Sequence, residues 1–373
     1  MIALGAPRIF DGEDWHDEAV VLIDGDRITG ILAEPPPGVP LDAWPEGTFL
    51  APGYIDLQVN GGGGVMFNDA VTPDRLRAIA TAHARAGTTA ILPTLISGAR
   101  PLLADAIAAV RAAIEAGVPG IAGLHLEGPF INTIRRGIHP AASVAAMTAD
   151  DAVRLRAPFP LLVTLAPEQV AAELVQELVR AGTTVFAGHT DATHAQAAAG
   201  LEAGIAGFTH LFNAMSQITP REPGAVGAAL SDDRCWAGII ADLHHVHPAN
   251  IRLAYDRLGP DRLFLVSDAM ATAGSDLGWF TLGGETIRLQ GGRLTDQAGT
   301  LAGAHLTMAE AVRNLVALGI HTDDALRMAS ATPAACARLD DRGRIGVGMR
   351  ADLVALDENL NVLATFQGGQ PVQ

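Results

Sequence analysis

Apolar and polar positions along the chain fall into two regimes. Through the middle, a helical stretch ends in Ala-Gly and a continuous apolar run follows at once: RAGTTAILPT, EAGVPGIAGLHLEG, RAGTTVFAGHT and EAGIAGFTH. The glycines of these turns are Gly87, Gly117, Gly182 and Gly204, with Gly319 a later variant after Leu318. Glycine suits the position just past a helix C-terminus because it takes positive φ without a steric cost. The runs are continuous instead of alternating, as parallel strands covered on both faces require. Strand and helix in alternation predict a parallel sheet with helical crossovers.

Eight strands are predicted from Tyr54 onward: Ile55–Val59, Thr89–Pro93, Ile121–Leu126, Leu161–Leu165, Thr184–Ala187, Gly207–Thr209, Ala237–Ala241 and Leu263–Val266. Eight parallel strands over roughly 290 residues point to an α/β fold of the closed (β/α)8 TIM barrel type, with a doubly wound open sheet as the alternative. The stretch Gly278–Gly299 reads as a β-hairpin inserted after the last strand. Both chain ends behave differently. Short strand-like runs occur at Ala19–Ile23 and Arg27–Leu32, before Pro35-Pro36-Pro37, and again at Ala351–Leu356 and Asn361–Phe366. Residues 1–50 and 346–373 are therefore expected to pair into a small accessory β-sandwich domain, leaving 51–345 as the barrel.

Composition narrows the function classes. Of 373 residues, 49% are hydrophobic and 18% charged, which excludes a disordered chain. No apolar run reaches the roughly 18 residues of a membrane span, and the start lacks a basic region followed by an apolar stretch. A cytoplasmic location is the expectation. Cys235 and Cys336 are too few for a disulfide framework and carry no CxxC spacing, so both are expected to be buried, reduced thiols. The net charge of −16 argues against nucleic acid and anionic membranes as partners. All 25 basic residues are arginine. Without lysine there is no Schiff-base chemistry, no phosphate-loop lysine and no metal site bridged by a carbamylated lysine.

The candidate chemistry clusters at predicted C-terminal strand ends, the face on which barrels build their sites. Glu127 follows the third strand, His189 the fifth, His210 the sixth and Asp268 the eighth. Glu127, His189 and His210 form a nitrogen and oxygen donor set, and two histidines with a glutamate make an open catalytic zinc site. Iron or manganese would suit the same donors.

The segments PGYIDLQVNGGGG, HLEGPFIN, GHTDA, THLFNAM, REPGAVGAAL, ADLHHVHP, VSDAM and GTLAGAHLTM, in this order, resemble the N-acetylglucosamine-6-phosphate deacetylase family, within the amidohydrolase superfamily. The tail GRIGVGMRADLVALD is similar to that family's return to its accessory β-domain. The resemblance implies deacetylation of N-acetylglucosamine 6-phosphate to glucosamine 6-phosphate and acetate. It makes Glu127, His189 and His210 the metal ligands and Asp268 the general acid/base. His139 matches the histidine near the substrate amide. Ile138, Asn213, Ala214, Arg221, His245, Leu301, Ala302 and Gly303 match substrate-binding positions. The family is usually a homodimer in which the neighbouring subunit completes the phosphate site.

The residue types suit that chemistry. A divalent ion lowers the pKa of water from about 15.7 toward about 7. One carboxylate, Asp268, can take the proton and pass it to the leaving amine. His139 can hydrogen-bond the carbonyl oxygen as it becomes an oxyanion. Arg221 offers bidentate phosphate geometry, and His245 a second bond. Where the superfamily often has His-x-His, this chain has the segment Asp56-Leu57-Gln58-Val59-Asn60. One divalent ion per subunit is expected, with Gln58 near the position of a second. Leu243 and Ala304 stand where the family usually has glycine and serine. The alternative functions are N-acetylgalactosamine-6-phosphate deacetylation, another N-acyl amidohydrolase activity such as D-amino-acid deacylation, and a catalytically silent barrel.

Overall fold

A computed structural model describes residues 1–373. Eight parallel strands run in sequence order as neighbours: Tyr54–Val59, Thr88–Ile96, Leu124–Glu127, Leu161–Leu165, Thr184–Ala187, Gly207–Phe208, Trp236–Ile239 and Leu263–Leu265. The residues just past the last strand close the ring. Asp268 N–H donates to the Gln58 carbonyl at 3.0 Å, Asn60 N–H donates to the Ala269 carbonyl at 2.9 Å, and Val59 bridges Ala269. The open doubly wound alternative is thereby excluded. The expected strand Ile121–Leu126 is regular only from Leu124, Ile121 making a lone bridge to Ile91.

The turn glycines behave as the pattern requires. Gly87, Gly117, Gly182, Gly204 and Gly319 all have positive φ, between 66° and 109°. Each follows a helix: Pro73–Ala84, Arg100–Glu115, Ala172–Arg180, His194–Glu202 and Met308–Ala317 respectively. A non-glycine residue at any of these turns would bear left-handed backbone strain.

The two chain ends join in one eight-stranded sheet, in which Thr48–Pro52 pairs antiparallel with Leu353–Asp357. Its far edge, Arg27–Leu32, bonds back to the segment before Leu353, through Ile28 N–H to the Met349 carbonyl and Gly348 N–H to the Ile28 carbonyl. The sheet curls in this way around its own core of Leu4, Ile9, Val21, Ile23, Leu50, Leu353 and Phe366.

Strand alternation ties this core to that of the barrel. Successive side chains point to opposite faces. Leu353 and Ala355 enter the accessory core, while Val354 and Leu356 enter the large barrel core. Ile9 and Phe10 divide in the same way, as do Leu50 and Ala51.

The insertion after the last strand holds more than one hairpin. Trp279–Leu282, Glu285–Gln290 and Arg293–Thr295 form an antiparallel meander, completed by Leu301–Ala304. Two Gly-Gly pairs, Gly283-Gly284 and Gly291-Gly292, link its first three strands, all four residues at positive φ. Two-residue turns with positive φ at both positions reverse an antiparallel pair. The second Gly-Gly therefore adds a second reversal to the single hairpin expected over Gly278–Gly299. Phe280, Leu282, Ile287 and Leu294 pack with Met66, Ile96 and Met270, seating the insertion on the barrel mouth. No helix is long and apolar enough to cross a membrane.

Because one strand serves both cores, truncating either face should weaken the whole molecule. Leu353→Ala and Leu356→Ala, both at fully buried positions, are each expected to cost about 2–5 kcal/mol. Urea unfolding followed by circular dichroism should show one transition moving in both variants. A separate early transition in Leu353→Ala alone would mean that the accessory sheet unfolds independently.

Candidate functional site

The barrel strands aim alternate residues inward. On Leu124–Glu127, Leu124 and Leu126 pack in the large core, which turns His125 and Glu127 to the barrel axis. His125 is held between Thr94 Oγ1 at 3.0 Å and Thr164 Oγ1 at 2.8 Å, and Thr164 Oγ1 meets Thr209 Oγ1 at 2.6 Å. Burial pushes the His125 pKa down to about 4, so its ring is neutral in this layer. Glu127 sits one layer higher, at the C-terminal mouth.

There three donor atoms converge. His189 Nε2 lies 3.2 Å from Glu127 Oε1, His210 Nε2 lies 3.0 Å from the same oxygen, and the two Nε2 atoms are 3.1 Å apart. Donors about 2.0–2.1 Å from a tetrahedral ion stand about 3.3–3.4 Å from one another, so this triangle fits a divalent metal. The tautomer of His189 agrees. Its Nδ1–H donates to the Arg135 carbonyl at 2.9 Å, leaving the Nε2 lone pair for the triangle. His210 Nδ1 is buried without a hydrogen-bond partner.

His139 is a neighbour of a different kind. A wider grouping of Glu127, His139 and His189 has its ligand atoms within 4.8 Å of one another, but the hydrogen bonds of His139 give it another part. Its Nδ1 accepts the Ser97 backbone N–H at 3.2 Å, so the ring proton lies on Nε2, 3.8 Å from Glu127 Oε2. Burial, with His189 alongside, pushes the His139 pKa down to about 3. A neutral ring with its N–H turned to the site donates a hydrogen bond; it does not offer a lone pair.

Asp268 completes the mouth, held by two amides. Asn60 Nδ2 donates to Asp268 Oδ1 at 2.6 Å, and Gln58 Nε2 donates to that oxygen at 3.1 Å and to Glu127 Oε1 at 2.9 Å. Burial, with the Glu127 charge nearby, pushes the Asp268 carboxyl up to about 6. Gln58 thus bridges both carboxylates as a donor. Asn60, the last residue of the segment that replaces His-x-His, had no expected role, although its spacing from Gln58 places both on the same face.

Backbone strain concentrates here. Nine non-glycine residues have positive φ, and six of them, His189, His210, Phe212, Ala214, Leu243 and Asp268, follow barrel strands at this mouth. Left-handed backbone costs roughly 1–2 kcal/mol per residue, and such outliers gather where a site over-determines the chain. Leu243, at φ 64°, is strained where glycine would not be.

A cavity of about 530 Å³ opens above these groups. It brings together Glu127, His139, His189, His210 and Asp268 with Ile138, Asn213, Ala214, His245, Leu301 and Gly303. Two expected residues are absent from its lining. Ala302 is fully buried in the core of the insertion, because strand alternation turns it away from Leu301 and Gly303. Arg221 is exposed on the outside, on the loop before helix Gly224–Ser231.

This barrel, with donors and acids gathered at the C-terminal strand ends, is the architecture of a metal-dependent hydrolase. The sequence pattern of the amidohydrolase family matches residues 49–372, and the chain belongs to that family. The chain is 40% identical to an N-acetylgalactosamine-6-phosphate deacetylase of Shewanella sp. (strain ANA-3), over 99% of this chain and 95% of the other. It is 34% identical to an N-acetylglucosamine-6-phosphate deacetylase of Haemophilus influenzae, over 97% of each. Among solved structures it resembles N-acetylglucosamine-6-phosphate deacetylase from Pasteurella multocida, with TM-score 0.94, 35% identity and 99% of each chain covered.

The triangle and the wider His139 grouping make different demands on metal retention. His189→Ala and His210→Ala should lose the bound divalent ion, whereas His139→Asn should retain it at the wild-type level. Elemental analysis of the dialysed proteins decides between them. Metal lost from His139→Asn and kept in His210→Ala would reassign the ligands.

Proposed function

We propose that this chain deacetylates N-acetylglucosamine 6-phosphate, giving glucosamine 6-phosphate and acetate. The observation that carries the reading is the Glu127, His189 and His210 triangle, with Asp268 and the His139 N–H in one cavity beside it. The full-length relatives that act on 6-phosphorylated N-acetyl sugars support the substrate class.

When bound, a divalent ion, most simply one zinc per chain, supplies Lewis acidity toward the carbonyl and lowers the pKa of water. Glu127 Oε1, His189 Nε2 and His210 Nε2 would hold it. Gln58 favours a single ion, because its amide turns donor hydrogens toward both carboxylates where superfamily relatives often place ligating histidines. Asp268 accepts a proton from the attacking water as oxygen bonds to the acetyl carbon. The His139 Nε2–H donates to the carbonyl oxygen as that oxygen gains charge. Asp268 then returns its proton to the sugar nitrogen, and the C–N bond breaks to release acetate and the amine. Asn60 and Gln58 keep the Asp268 carboxylate facing the reacting atoms.

At the phosphate end, Asp242 Oδ2 takes the His245 Nδ1–H at 2.6 Å, which leaves Nε2 as the free ring nitrogen at the cavity. Arg221, exposed and off the cavity of its own chain, would act on a second copy's substrate in a homodimer.

Acetate release from a panel tests the assignment. The 6-phosphates of N-acetylglucosamine and N-acetylgalactosamine, both free sugars and several N-acetyl-amino acids would be compared, with N-acetylglucosamine 6-phosphate expected to be the best substrate. Equal rates with and without phosphate would overturn the substrate reading and leave the hydrolase intact. In the same assay Asp268→Asn should lower kcat by roughly 10²–10⁴ with metal retained. A loss below about threefold would place the base elsewhere.

A further inference from the structure

The substrate phosphate needs a local cation in a chain of net charge −16 without lysine. Two arginines line the cavity, Arg135 and Arg293. Arg135 is already committed: its Nε binds Asp191 Oδ1 at 2.8 Å, and its carbonyl receives the His189 Nδ1–H. Arg293 makes no ion pair and no side-chain hydrogen bond. Its guanidinium is the one cavity cation whose charge nothing in the protein neutralises.

The fold holds Arg293 at this spot. It follows the Gly291-Gly292 turn directly, paired with Gln290 across that turn and with Ala304 on the adjoining strand. Leu294 is fully buried in the core of the insertion, so strand alternation turns Arg293 to the opposite face. The turn packs against the histidine segment: a Cβ on Gly292 would meet His244 Nε2 at 3.1 Å. Arg293 and His245 both line the cavity that holds the donor triangle.

We infer that Arg293 binds the substrate phosphate from within the same chain, alongside His245, and so sets the preference for phosphorylated over free N-acetyl sugars. This rests on the substrate class proposed above. A guanidinium presents paired N–H donors that match phosphate oxygens and keeps its charge at all working pH values.

Steady-state acetate release with N-acetylglucosamine 6-phosphate and free N-acetylglucosamine tests this in wild type, Arg293→Ala, Arg293→Gln and Arg293→Lys. Arg288→Ala, an exposed arginine on the same insertion, serves as the control. Arg293→Ala and Arg293→Gln should lose about 10- to 100-fold in kcat/KM on the phosphorylated sugar, chiefly through KM. Their rates on the free sugar should be unchanged, which also shows that the site is folded. Arg293→Lys should recover part of the loss, and Arg288→Ala should match wild type. If both neutral variants stay within about twofold of wild type on the phosphorylated sugar, Arg293 does not bind the phosphate and the substrate reading stands. If wild type itself shows no preference for the phosphorylated sugar, the substrate reading falls and this inference falls with it.

Discussion

Two imidazole nitrogens and a carboxylate oxygen converge within 3.0–3.2 Å of one another at the mouth of the barrel. Lone pairs facing each other at that distance repel, and burial removes the water that would screen them. A divalent cation between them would turn the repulsion into attraction, and several features of the fold hold the three atoms there. Three strands deliver them, the Arg135 carbonyl fixes one tautomer, and His189 and His210 both sit in left-handed backbone. The conformational cost at those residues is offset by the surrounding packed barrel.

The same constraint divides the labour among neighbours that look alike in sequence. Histidines at positions 139, 189 and 210 lie together, but their hydrogen bonds distinguish them. A backbone carbonyl opposite Nδ1 makes His189 a lone-pair donor at Nε2, while a backbone N–H opposite Nδ1 makes His139 an N–H donor. The carboxylates separate as well. Glu127 turns one oxygen to the two imidazole nitrogens, whereas burial and the Glu127 charge raise Asp268. An anion that stays ionised beside an acid able to take up a proton is the pairing that amide hydrolysis uses.

Much of this was legible in the chain because the relevant signals are local. Helix-terminal glycines followed by continuous apolar runs announce parallel strands, and the residue at the end of each run faces the site. Glu127, His189, His210 and Asp268 could be read from position alone, while His139 needed the family resemblance. What stayed hidden depends on how distant segments meet. The threonines around His125 look like ordinary strand residues until the ring closes. Asn60 is an unremarkable loop amide until Asp268 arrives beside it. Arg221 has the right chemistry for phosphate, yet its loop carries it outside the cavity, and no local pattern reports that. The insertion read as one hairpin because apolar alternation fades there, although its second Gly-Gly pair marked the extra turn.

X-ray absorption at the metal edge of the purified protein tests the donor triangle most directly. Coordination by Glu127, His189 and His210 gives two imidazole nitrogens and oxygen donors at about 2.0–2.2 Å, with no sulfur. A first shell containing three imidazoles would bring His139 in as a ligand. That result would contradict both the triangle and the part given to the His139 N–H.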